Sequence, residues 1–210
     1  MRKFTALRTA FLLPLALLIT SFSYGQINTF PYSEDFEAGD GGWVSGGNKS
    51  SWEWNSPQGN IISQANSGTF AWVTNSFGSY NDDERSFVES PQFDFSGMTI
   101  PTVQFSIWRA SEDEYDGAIL QYSTDGGNFW VTLGNFGDPN NWYNAGAVEA
   151  LLAEFGKGDG WDGYSDGWLE AKQEVAELAG KSDVKFRFFF ASDGVFSQEG
   201  FAFDDFQIYD

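Results

Sequence analysis

The side chains of this chain that could do chemistry are almost all carboxylates. It carries 30 Asp and Glu residues and neither His nor Cys. Without an imidazole or a thiol, nucleophilic hydrolysis of the Ser–His–Asp or Cys–His kind is excluded in its ordinary form, as are zinc sites built on those ligands. No Gly-rich stretch sits in a strand–loop–helix pattern with a Lys placed to cradle phosphate. What remains is the chemistry of carboxylate oxygen, either as acid and base or as ligand to a hard cation. Two places concentrate it: Asp204-Asp205 in the last segment, and the run Glu112-Asp113-Glu114-Tyr115-Asp116.

In the last segment, residues 200–210, Phe201 and Phe203 alternate in one phase and Phe206 and Ile208 in the other. Strand side chains alternate between faces with period two, so the change of phase calls for one extra residue, a bulge. Asp204 and Asp205 stand at the switch. A carboxylate pair beside a buried strand is costly unless something positive sits there, and with no His or Cys the simplest partner is an oxygen-ligated cation such as Ca²⁺. The competing reading is two solvated aspartates at a strand end. The 112–116 run reads first as a solvated loop before Gly117. Its alternatives are a second cation site or the carboxylate pair of a glycoside hydrolase.

The elements that must position these groups are short strands. Residues 51–54 and 69–74 are aromatic and β-branched runs after polar loops, and Pro91 ends the pairing of residues 86–89. Val103, Phe105 and Ile107 alternate cleanly, as do Ala118, Leu120 and Tyr122, and again Val184, Phe186, Phe188 and Phe190. Residues 129–133 make a further strand. Many short strands punctuated by Gly, Asn and Asp predict an all-β fold, a two-sheet antiparallel β-sandwich. Ser123-Thr124-Asp125-Gly126-Gly127-Asn128-Phe129-Trp130 fits the Asp-box pattern, in which Ser and Asp bond turn amides and Trp packs back. One copy predicts a hairpin turn and says nothing of catalysis.

Residues 136–166 break the strand pattern. Val148, Leu151, Leu152 and Phe155 lie at helical spacing, which predicts a short helix over residues 145–155. The segment that follows, 168–178, has helix-forming composition, but a sandwich wants a strand there, leading into a turn at Gly180. Trp142, Tyr143, Trp161, Tyr164 and Trp168 lie in or beside the insertion. They are candidates for stacking on a sugar or anchoring a protein partner, the alternative being that they cover the insertion's own small core.

The chain opens on Met1-Arg2-Lys3 and Arg8, an apolar run over 10–19, and small residues before Gln26. That order describes a secretory signal peptide over 1–25 and an exported domain over 26–210. The apolar run is too short to span a bilayer. After such a cut, 30 acidic side chains face 8 basic ones, a formal charge of −22. This disfavours nucleic acid or an anionic membrane as partner. A secreted domain with no disulfide must rely on its core, and a bound metal could do what disulfides otherwise would.

Taken in order, Asp35-Phe36-Glu37 with Gly42-Trp43, Ser67-Gly68-Thr69-Phe70-Ala71-Trp72, Glu89-Ser90-Pro91, the strand around Phe105, Asp116-Gly117, the Asp-box turn, Phe186-Arg187-Phe188, Ser192-Asp193 and Phe203-Asp204-Asp205-Phe206 form a pattern. It resembles the MAM-like (concanavalin-type) jelly rolls, in particular bacterial choice-of-anchor J and cleaved-adhesin modules. The resemblance covers roughly residues 30–210 and implies a jelly roll whose first and last strands are joined by a structural Ca²⁺. Carried over, it implicates Glu37 and Asp205, then Asp204 and Asp35, with carbonyls near 66–68. It implies a non-catalytic, secreted module for adhesion or for glycan or protein binding, or else a structural accessory domain of a larger secreted protease or glycosidase. The 136–166 insertion departs from the family's length. The chain stops at the end of its last strand, which is expected of a module cut from a longer protein.

Overall fold

The computed structural model describes residues 25–210, so the expected signal segment lies outside the described residues. Twelve strands, β1 (Tyr32–Glu34), β2 (Val44–Asn48), β3 (Trp52–Asn55), β4 (Ala71–Thr74), β5 (Arg85–Glu89), β6 (Thr102–Ala110), β7 (Gly117–Ser123), β8 (Val131–Thr132), β9 (Trp161–Asp162), β10 (Leu169–Glu174), β11 (Lys185–Ala191) and β12 (Gly200–Tyr209), and one helix, α1 (Glu149–Phe155), make up the regular structure. The first sheet runs β10-β6-β12-β4-β3 with β1 also on β12, and the second runs β2-β5-β11-β7-β8 with β9 also on β7. All these pairings are antiparallel. The expected two-sheet sandwich is the fold.

The alternating positions supply the core between the sheets. Val103, Phe105 and Ile107, Ala118 and Leu120, Phe186, Phe188 and Phe190, and Phe201, Phe203, Phe206 and Ile208 are all buried. Phe188 is central, stacked on Phe203 at 4.0 Å and edge-on to Phe105 at 4.9 Å, with Trp43 above it at 6.1 Å. Such ring pairs contribute on the order of 1 kcal/mol each beyond their area burial.

The bulge falls where the change of phase placed it. On β6, Asp204 pairs with Ser106 but Gln207 with Gln104, so β12 carries one residue more than its partner, and Asp205 takes a left-handed φ of 51°. The other edge of β12 changes neighbour at the same point. β4 pairs with Ala202 and Phe203, and β1 with Phe206 to Ile208. Asp204 and Asp205 therefore occupy a gap between two partner strands. A loop at residues 66–70 fills it.

The helix is shorter than expected, and residues 145–148 enter it as extended chain. Val148 sits at its start with no side-chain cap, and Gly156 closes it in the left-handed conformation. Residues 169–174 form a strand and 176–178 a single 3₁₀ turn, so the demand for a strand here overrode helical composition. The Asp-box forms as described: the Asp125 carboxylate accepts from the amides of Asn128 and Phe129, and the Ser123 hydroxyl from Gly127 N–H.

Candidate functional site

The rings of the insertion divide, which corrects the expectation that all five form a binding surface. Trp142, Tyr143 and Trp161 are buried. They contact one another at 4.6–5.6 Å and continue into the main core through Phe105 and Phe201. Burial is tolerated because each polar end finds main chain. Trp142 Nε1 donates to Leu133 O, Trp161 Nε1 donates to Asn141 O, and the Tyr143 hydroxyl takes up both the N–H and the C=O of Leu120. No ligand can stack on these rings. Trp168 is half-buried, packed edge-on to Trp108 at 5.7 Å with its Nε1 donating to Gln64 O, so it belongs to the cover of the first sheet. Tyr164 is exposed.

The insertion nevertheless builds a cleft, with other residues. A cavity of about 820 Å³ opens between the 113–115 turn, the N-terminal half of α1 and residues 136 and 144–147. Tyr115, Phe136 and Leu152 give it partly exposed apolar walls, while Asp113, Glu114, Asn144, Glu149 and Asp162 supply oxygens and an amide. The walls are braced from behind. Glu149 N–H donates to Glu114 O and Ala150 N–H to Tyr115 O, tying α1 to the turn. The buried Asp162 carboxylate accepts from Glu114 N–H and from Asn144 Nδ2. Phe136 lies against Gly146, where a Cβ would come within 2.9 Å of the ring and push it aside. Sequence reasoning missed Phe136, Asn144, Glu149 and Asp162. They are separated in the chain and carry no spacing signal.

The acidic run splits in the same way. Asp113 and Glu114 face the cleft, whereas Glu112 and Asp116 turn to Asp193; these last three are the carboxylates that gather within 4.8 Å of one another among the described residues. Asp116 is fully buried, its oxygens accepting from the Tyr80 hydroxyl at 2.6 Å and from Asp193 N–H at 2.6 Å. Burial, aided by the charges of Asp193 and Glu112, pushes its carboxyl up from 3.8 to about 6, against the pull of those two hydrogen bonds. A sealed carboxyl cannot reach a glycosidic bond, so Asp116 is no member of a substrate-facing pair.

Glu37, Asp204 and Asp205 each bond to the 66–70 loop, but their oxygens are not among the carboxylates that gather within 4.8 Å of one another. Glu37 Oε1 accepts from the amides of Thr69 and Phe70. The buried Asp204 accepts from the amides of Asn66 and Ser67, and Asp205 from the Asn66 side chain and the Ser67 hydroxyl. Gly68, at φ +56°, leaves the room that the Glu37 carboxylate fills, since a Cβ there would stand 2.2 Å from it. Asp204 is pushed up to about 7, chiefly by burial. The oxygens are of the kind a hard cation takes, but here loop amides satisfy Glu37 and Asp204 and the three carboxylates form no close cluster. Asp35 instead accepts from Glu37 N–H and holds the turn.

No family model matches the chain. Bacillopeptidase F of Bacillus subtilis (strain 168) is 24% identical over 177 residues, which is 84% of this chain and 10% of that protein. The chain thus spans about a tenth of the curated relative it matches. Among solved structures, the K1 cleaved adhesin domain of Lys-gingipain from Porphyromonas gingivalis W83 aligns with a TM-score of 0.50 at 13% identity, over 86% of this chain and 98% of that one. TmCBM61, solved with β-1,4-galactotriose, aligns at 0.48 and 14% identity over 83% and 93%. The K1 domain shares the sandwich fold.

Proposed function

We propose that this protein is a secreted, non-catalytic module of the cleaved-adhesin and choice-of-anchor J kind that recognises a glycan outside the cell. The observation that carries the reading is the cleft walled by Tyr115 and Phe136, with Asn144, Glu149 and Asp113 around it. Rings that stack on a pyranose beside a few oriented polar groups are the usual means of holding a sugar. Replacing Tyr115 and Phe136 by Ala is expected to weaken binding to a neutral oligosaccharide such as galactotriose or xylotriose by about fivefold per ring, from ~1 kcal/mol of stacking each. Because both rings are partly exposed, the melting temperature should hardly move. Titration calorimetry decides it: unchanged affinity in the double variant, or no binding of wild type across a panel of neutral glycans, removes the cleft from the reading.

In this proposal Glu37, Asp204 and Asp205, with carbonyls near 66–68, hold a Ca²⁺ that joins the start of the domain to its last strand. The cation would supply the positive charge that the buried Asp204 lacks. Saturating calcium at about a hundred times its dissociation constant adds ~2.7 kcal/mol, or roughly 5–10 °C in a domain of this size. A melting curve with calcium and then with excess chelator tests this, and superimposable curves would sink it. Export rests on the basic and apolar N-terminal segment. Among the described residues no helix is long and apolar enough to cross a membrane.

A further inference from the structure

The two outer faces of the sandwich are treated differently. The first sheet is roofed by residues 56–67, whose Ile61 and Ile62 pack with Val73, Ala110, Ala202, Trp108 and Trp168. The Glu199 carboxylate accepts from the amides of Asn60, Ile61 and Ile62 and pins this roof. On the second sheet, α1 covers one part, where Phe155 meets Phe189. The rest carries Phe87 and Glu89 on β5, Lys185 and Arg187 on β11, Gln121 on β7, and Trp130 beyond the Asp-box.

Arg187 is the unusual group on that face. Its guanidinium lies 4.3 Å from the Trp130 ring, with Phe87 and Phe189 at 5.2 and 5.5 Å. Nε donates to Gln121 Oε1 at 2.7 Å, so the plane is fixed from two directions. Desolvation draws its pKa down to about 10, which leaves it charged at neutral pH. Among the described residues it forms no ion pair, and its terminal nitrogens donate to no protein group. The neighbouring cations are matched instead, Lys185 by Glu89 and Arg85 by Glu154. With Arg85, Lys185 and Arg187 against Glu89 and Glu154, the face carries a net charge of +1 in a chain whose described part sums to −22.

We infer that this face is a second binding site, distinct from the insertion cleft, and that it takes a uronate-bearing polysaccharide whose carboxylate docks on Arg187. A planar guanidinium held rigid with its outer nitrogens free is matched to a carboxylate, and pre-ordering removes the entropy cost that a Lys would carry. The half-buried rings of Trp130 and Phe87, on whose faces the guanidinium lies, border the place where the sugar ring would sit. A peptide is disfavoured by position. β5 and β11 lie inside the sheet with both edges paired, so no main-chain groups are left to hold an added strand. Recognition there must come from side chains.

The test uses the whole protein with polygalacturonate, its methyl ester and poly-L-glutamate, followed by calorimetry and affinity electrophoresis. The expected result is binding to polygalacturonate that weakens with salt, at least a tenfold loss on methyl esterification, and at least a tenfold loss in Arg187→Gln. Arg187→Lys, which keeps charge but not the fork, should fall between them and guards against misfolding of the Gln variant. Galactotriose binding should survive both Arg187 variants, so failure of the cleft and failure of this site are separable. Equal affinity of wild type and Arg187→Gln for polygalacturonate, or no binding of that polymer at all, overturns the inference. Arg187-dependent binding of poly-L-glutamate as tight as that of polygalacturonate overturns it in favour of an acidic protein partner.

Discussion

Trp161→Ala is expected to cost about 3–5 kcal/mol of folding stability, the range for emptying a large aromatic site in a packed core. Trp161 is 1% exposed and touches the rings of Phe105, Trp142, Tyr143, Phe188 and Phe201. Its strand partner is Ala118, and the chain comes so close at Gly117 that a Cβ there would meet Trp161 O at 2.5 Å. Neither neighbour can swing in to fill the space, so the cavity term adds to the lost transfer energy. Tyr164→Ala, three residues on and 53% exposed, should stay within ~0.5 kcal/mol. Urea unfolding of both variants checks the contrast. Similar midpoints for the two would mean that the insertion is not part of the core.

The second large effect depends on pH and belongs to Asp116. Its carboxyl is raised from 3.8 to about 6 in the folded protein, principally by burial. A group that binds its proton more tightly when folded favours the native state at low pH. Between about pH 4 and pH 6 the folded protein holds more protons than the unfolded chain, so stability falls as pH rises through that window and stays low above it. At ~1.4 kcal/mol per pH unit, the loss is on the order of 3 kcal/mol. Asp116→Asn removes the titration while leaving an oxygen for Asp193 N–H. The difference in unfolding free energy between wild type and variant should therefore shift by that amount from pH 4 to pH 7, in the variant's favour at the higher pH. Other carboxylates titrate in both proteins and cancel. A difference that stays flat across the window would mean that Asp116 is ionised without penalty.

Both effects arise from burial, which the linear chain reveals unevenly. Alternating Phe, Val and Leu residues identified the core strands because period-two patterning is a local consequence of a half-buried sheet. The bulge at Asp204-Asp205 was legible for the same reason, since a change of phase needs an extra residue whatever the partner strand is. The Asp-box was legible because its hydrogen bonds close within seven residues, from Ser123 to Phe129.

What escaped were the features made by chain segments far apart. Trp142, Tyr143 and Trp161 sit in an irregular, Gly-rich stretch with no periodicity to mark an inward face. Only the packing of the insertion against Phe105 and Phe201 decided that they are core. Asp116 sits in a run of five residues of which four are acidic, and there it resembles its solvated neighbours. Tyr80 and Asp193, 36 and 77 residues away, close over it. Likewise Phe136 and Tyr115 become opposite walls of a cleft, and Arg187 finds Trp130, only once the strands are paired. The residues alone determined the sandwich, the bulge and the exclusion of His and Cys chemistry, because each follows from composition or short-range pattern. Which rings are buried, which carboxylates are sealed and where a ligand can lie were decided by tertiary structure, because burial and charge environment are properties of neighbours brought together by folding.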